Sequence, residues 1–132
     1  MRYSDIDVQC EDIMWFGVDC NGWIVACTSA GIGCVPEFVC KSREENETLQ
    51  DFFCSDFDEC HSNDDASQLS QKGLYYFDAD LSNNGDSYIK VSEPTTPQTL
   101  DSLPTNIKKL MKERVINVDL SAEYSFTIKH AY

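Results

Sequence analysis

Residues 13–40, IMWFGVDCNGWIVACTSAGIGCVPEFVC, constrain the fold more than any other part of this chain. Two runs within them, 13–18 and 23–28, are apolar at odd and even positions alike. A strand of that kind needs cover on both faces. Between the runs stands Asp19-Cys20-Asn21-Gly22, and Asn-Gly favours a type I′ turn, in which both central residues take positive φ. The stretch therefore predicts a hairpin in the middle of a sheet. A glycine-bearing loop, 29–35, and a short extended piece, 36–40, should follow.

The flanking chain predicts elements added around that hairpin. Residues 1–12 alternate weakly, with Ile6, Val8 and Cys10 against Asp5, Asp7 and Gln9, and read as an edge strand or a tail. Ser42, with Glu45 three residues on, forms a capping-box pattern and opens a first helix. Leu49, Phe52 and Phe53 share one face of it at helical spacing. The polar, acidic residues 55–70 predict a long loop. Residues 74–78 and 87–92 predict a second hairpin, turned at Asn83-Asn84-Gly85, with Tyr88 and Lys90 opposing Ile89 and Val91 so that one face is wet.

The proline-punctuated segment 93–98 leads to a second helix from Asp101 or Ser102, with Pro104 in its first turn. Leu103, Ile107, Leu110 and Met111 form its apolar stripe, and Lys108, Lys109 and Lys112 its opposite face. Residues 115–120 and 124–128 alternate and predict a third hairpin, with Ile116, Val118 and Leu120, then Tyr124, Phe126 and Ile128, turned inward. The whole reads as one α+β domain over residues 1–132: a mainly antiparallel sheet of three hairpins with two helices packed on one face.

Charge narrows the partners. The 132 residues carry a formal charge of −13, which disfavours nucleic acid and anionic membrane and suits a basic protein. Residues 1–66 hold fifteen Asp and Glu against three Lys and Arg, and residues 44–65 hold nine carboxylates with no cation among them. No leader-like apolar segment follows Met1, and no run approaches the roughly 20 apolar residues of a membrane span. The expected location is the cytoplasm. There the seven cysteines stay as thiols, and those at strand positions, such as Cys27, act as core filler.

No motif commits the chain to catalysis. Gly31-Ile32-Gly33 resembles a dinucleotide loop, but Pro36 stands where the third glycine belongs. Asp78-Ala79-Asp80 begins like a calcium loop, yet Asn83 and Ile89 occupy the places that need Gly and Glu. Cys54, Cys60 and His61 are soft ligands close together, but they lack the paired spacing of a structural zinc site. Only His61 and His130 offer an imidazole base. No catalytic residue, cofactor or metal is expected. The expected site is an electrostatic docking surface: Glu44, Glu45, Glu47, Asp51, Asp56, Asp58, Glu59, Asp64 and Asp65 supply the field. Phe57, or Tyr75 and Tyr76, supply aromatic contact.

The segment MWFGVDCNGWIVACTSAGIGCVPEFV, with the later LPTNIKKLMKERVINVDLS, resembles a family of small uncharacterised acidic bacterial proteins. Its pattern is an aromatic strand, an Asp-x-Asn-Gly turn, a Thr-Ser-x-Gly-x-Gly loop and Val-Pro-Glu-Phe. The resemblance covers about half the chain and brings no catalytic residue with it. Small acidic proteins of this look are often immunity proteins or inhibitors beside toxins, so it implies an immunity-type inhibitor of a basic toxin or nuclease. Two other readings stand beside it. One is a small-ligand or metal-binding enzyme with a pocket between the sheet and the 28–36 loop. The other is an oligomerisation module pairing the 124–128 or 6–10 strands across a dimer.

Overall fold

A computed structural model describes residues 1–31, 33–54, 65–80 and 86–128. The doubly apolar stretch pairs as its pattern demands: β1 (Met14–Val18) and β2 (Ile24–Thr28) are antiparallel, with Trp15 opposite Cys27 and Phe16 opposite Ala26. Their connection is not a type I′ turn. Gly22 has φ +83°, but Asn21 does not have positive φ. Instead the Asp19 carboxylate accepts the N–H groups of Asn21 and Trp23 at 2.8 and 2.9 Å. An aspartate that supplies the acceptors itself closes a wider loop, and the second positive-φ residue is not needed.

Among the described residues the sheet has five strands in the order β1-β2-β3-β4-β5, with β3 at Tyr75–Ala79, β4 at Ser87–Ser92 and β5 at Ser125–Thr127. It is mostly antiparallel; only β2 and β3 pair in parallel. The second hairpin pairing, β3 with β4, is present, while its turn, 81–85, lies outside the described residues.

Two expectations about the sheet are corrected. The first hairpin lies at one end of the strand order, not in the middle. Its outer edge is sealed by later chain: Val18 donates to the Arg114 carbonyl, and Ile116 donates to the Val18 carbonyl, both at 2.9 Å. There is also no third hairpin. Residues 115–120 are held against β1 and Asp19, whereas β5 pairs with β4, Phe126 standing opposite Tyr88.

The helices are also distributed differently from expectation. α1 (Asp5–Cys10) replaces the predicted edge strand. Ser4 Oγ accepts the Asp7 N–H, and the Asp7 carboxylate accepts the Ser4 N–H, so a local capping box overrides a weak alternation. α2 (Glu37–Cys40) replaces the extended piece, with Pro36 presetting its entry at φ −69°. α3 (Arg43–Cys54) starts as predicted, the Glu45 N–H donating to Ser42 Oγ. α4 (Asp65–Gln71) occupies part of the predicted loop, and residues 55–64 lie outside the described residues. A 3-10 turn (Leu100–Ser102) precedes α5 (Thr105–Met111).

Apolar side chains fill both sides of the sheet. On one side Phe16, Ile24 and Ala26 meet Leu49 and Phe53 of α3, Leu69 of α4, and Ile107 and Met111 of α5. On the other Trp15, Val25, Cys27, Phe77 and Tyr88 meet Val8 of α1, Val39 and Cys40 of α2, and Ile116 and Leu120. Helices therefore lie on both faces, because a strand apolar on both sides would otherwise expose half its side chains. Each large side chain so buried contributes about 1.5–3 kcal/mol. Phe52 lies at the margin of this packing, 37% exposed with its ring 4.9 Å from that of Phe53. On β4, Tyr88 is buried and Lys90 turns inward over the Tyr75 ring, leaving Val91 exposed where the β3–β4 register shifts.

Candidate functional site

α3 presents the described part of the acidic run. Leu49 and Phe53 face the sheet, and Asn46 joins them, its Nδ2 donating to the Met14 carbonyl at 2.8 Å. The helix period then puts Glu44, Glu47 and Asp51 on one outward stripe. All three are exposed, with Phe52 beside them. Glu44 is paired with the N-terminal amine, which holds its carboxyl below the usual range. Glu45 is half-buried. At the N-terminal end Arg43 bridges to Asp7 at 3.1 Å and Glu11 at 2.8 Å, tying the start of α3 to α1 and its C-cap. The described acids also occur on other elements, but many are neutralised locally, as in Lys41–Glu113, Lys90–Glu93 and Lys108–Asp101. Among the described residues Glu47 and Asp51 carry no such ion pair.

Of the remaining expected contact residues, Asp65 opens α4, while Asp56, Phe57, Asp58, Glu59 and Asp64 lie outside the described residues. Tyr75 is buried and Tyr76 is half-buried with its hydroxyl 3.1 Å from Thr28 Oγ1, so neither is an exposed anchor. Phe52 takes that place. Its spacing beside Phe53 disguised it as core, since adjacent helical positions straddle the edge of an apolar stripe. Cys60, His61 and His130 also lie outside the described residues, and Cys54 Sγ rests 3.6 Å from Met14 Sδ. Among the described residues no group of three His, Cys, Asp or Glu side chains could hold a metal ion, and no helix is long and apolar enough to cross a membrane.

A groove of about 610 Å³ lies elsewhere than the pocket expected beside the 28–36 loop. Phe38, Val115, Ile116, Val118, Phe126 and Ile128 form most of its lining, and Pro36 is its sole residue from that loop. The loop itself is packed down. A Cβ on Gly33 would sit 2.6 Å from the Ser29 carbonyl oxygen and 2.8 Å from Ala79 Cβ. Residue 33 therefore has no room for a side chain.

Several buried polar groups were not singled out by the sequence. The second Asp19 oxygen accepts the Leu120 N–H at 3.0 Å across 101 residues. Arg114 is 1% exposed; its Nη1 donates to Asn46 Oδ1 at 3.2 Å, and its guanidinium lies 5.8 Å from the Phe38 ring. Burial lowers the Arg114 pKa to about 10. Trp15 Nε1 donates to Tyr88 Oη, which donates to the Cys34 carbonyl at 2.7 Å. Cys34 is pushed up to about 12 by burial and by its hydrogen bond to Asp86. These groups pin loops and do not converge on a reacting centre. No family model, curated protein or solved structure matches the chain.

Proposed function

We propose that this chain is a non-enzymatic protein-binding domain that works in the cytoplasm as an immunity-type inhibitor of a basic toxin or nuclease. The observation that carries the reading is the outward stripe of Glu44, Glu47 and Asp51 with the exposed ring of Phe52 beside it. Glu44 is paired with the N-terminal amine, so Glu47 and Asp51 carry the field that steers a cationic partner and repels acidic competitors. An aromatic ring at their margin supplies desolvated contact that charge alone does not. The chain's −13 charge directs this surface away from nucleic acid and anionic lipid.

The test is capture from a lysate of the native host at low salt, followed by elution as salt rises, compared between the parent and a Glu47→Lys/Asp51→Lys variant. The expected result is a basic protein held by the parent, released within a few tenths molar salt, and lost from the variant. Capture of salt-insensitive partners only, or equal capture by both proteins, overturns the reading. Equal melting temperatures for the two proteins separate lost docking from lost folding.

A further inference from the structure

Residues 115–118, which seal the β1 edge, and β5 at the other end of the strand order line the same groove. At the β5 end, Lys90 donates to the Tyr124 carbonyl and Ile128 donates to the Asp86 carbonyl, each at 2.8 Å, with the Tyr88–Phe126 pair between them. In an antiparallel ladder, residues 124, 126 and 128 then spend their backbone groups on β4, and the N–H and C=O of Ser125 and Thr127 point off the sheet. At the other end Val18 takes the Arg114 carbonyl and the Ile116 N–H, which flank Val115 in a parallel bridge. Val115 itself therefore turns its N–H and C=O away from β1. Cys20 likewise donates to the Val118 carbonyl at 3.1 Å, leaving Asn117 between two residues that face the hairpin.

Between these edges the floor is apolar. Phe126, Ile128 and Ile116 belong to one core, and Val115 is 51% exposed above it. Open edges are ordinarily guarded by shortness, lysine, proline or a bulge, and β5, Ser-Phe-Thr, has only its shortness. Glu37 is the charged residue of the lining, and it is paired with Arg2. The preference for a basic ligand therefore comes from the chain's net charge of −13.

We propose that this seam is a strand-acceptor site, taking one extended segment of another protein whose apolar residues alternate with basic ones. An extended segment is the ligand that offers backbone donors and acceptors at alternate residues to an open edge and side chains to an apolar floor. A helix has its backbone groups satisfied internally and could not use either edge. The chain's net charge of −13 favours lysine or arginine over acidic residues in the segment. The proposal does not rest on the α3 surface, and failure of the lysate experiment leaves it standing.

The test uses the full chain and a blocked eight-residue peptide of alternating valine and lysine, with amide hydrogen exchange and titration calorimetry as readouts. Binding should protect the amides of Ser125, Thr127, Val115 and Asn117. Methylating the peptide's alternate backbone nitrogens should weaken binding about tenfold or more, and exchanging its lysines for glutamates should do the same. Thr127→Pro removes one outward N–H at an edge position where proline is tolerated, and should weaken binding similarly. No binding at millimolar peptide, equal affinity for the methylated peptide, or protection confined to α3 each overturns the proposal. So does protection of these four amides in the free protein, which would mean that the seam is closed by the chain itself or by a second copy.

Discussion

The two faces of the sheet are covered by different means. Over Phe16, Ile24 and Ala26 lie α3, α4 and α5, which bring aliphatic and aromatic side chains on helical stripes. Over Trp15, Val25 and Cys27 lie the short α1 and α2 and the extended chain at Ile116 and Leu120. That second cover is pinned by single side-chain hydrogen bonds, from the Leu120 N–H to the Asp19 carboxylate and from the Tyr88 hydroxyl to the Cys34 carbonyl. Apolar cover tolerates substitutions that keep volume. Polar pins do not, because removing one partner strands the other out of reach of water. Arg114 lies where the two covers meet, bonded to Asn46 of α3 and facing Phe38 of α2.

The contrast can be broken by substitution. Arg114→Ala should have the largest effect, about 4 kcal/mol by urea unfolding, because it opens a cavity and strands the Asn46 carbonyl oxygen. Arg114→Met should recover about half of that loss by refilling the space. Equal losses for the two would show that the hydrogen bonds, not the volume, dominate at the junction. On the helical face Leu49→Ala should cost about 3 kcal/mol and Leu49→Met less than about 1.5. A larger loss for the methionine variant would mean that this face is as exacting as the other.

Asp19→Asn tests the pinned face alone. The side chain keeps its size and one acceptor, but an amide group now meets the Leu120 N–H or one of the turn donors, and about 2 kcal/mol should be lost. A neutral result would remove Asp19 as the reason residues 115–120 lie on β1. Alkaline pH gives a smaller, graded effect on the same face. Cys34 holds its proton up to about pH 12 in the folded chain, against an ordinary thiol value of 9.0. Its contribution is therefore whole below pH 9 and declines as pH rises toward 12, by up to about 1.4 kcal/mol per pH unit. Burial of the Tyr88 hydroxyl acts in the same direction. Cys34→Ala should flatten the slope in a pH series of unfolding curves, and an unchanged slope would assign it to other groups. The smallest change is expected for Phe52→Ala, about 1 kcal/mol, since that ring is 37% exposed and keeps one edge contact, with Phe53. A core-sized loss there would return Phe52 to the packed face and take the aromatic anchor from the docking surface.

Period and capping, which act over a few residues, determined much of this protein on their own. They are enough for the β1–β2 pairing, the start of α3 at Ser42, the stripe of Leu103, Ile107 and Met111, and the need to cover both faces of β1 and β2. The acid stripe of α3 was legible for the same reason, because residues 44, 47 and 51 share a face in any helix. Only the tertiary structure decided which elements supply the cover and what seals each edge. Residues 115–120 alternate as a hairpin strand would, and nothing within them distinguishes pairing with β5 from docking on β1. Docking on β1 satisfies Asp19, a buried carboxylate whose second oxygen finds its donor 101 residues away, and adds the backbone bonds of Val18 and Cys20 to 114–118. The seam follows from that choice. Once 114–118 has closed the β1 edge, β5 is left at the other end of a curled sheet with its outer backbone groups facing the gap. Such a partnership is set by the summed burial and hydrogen bonding of the whole fold, and no window of local sequence contains it.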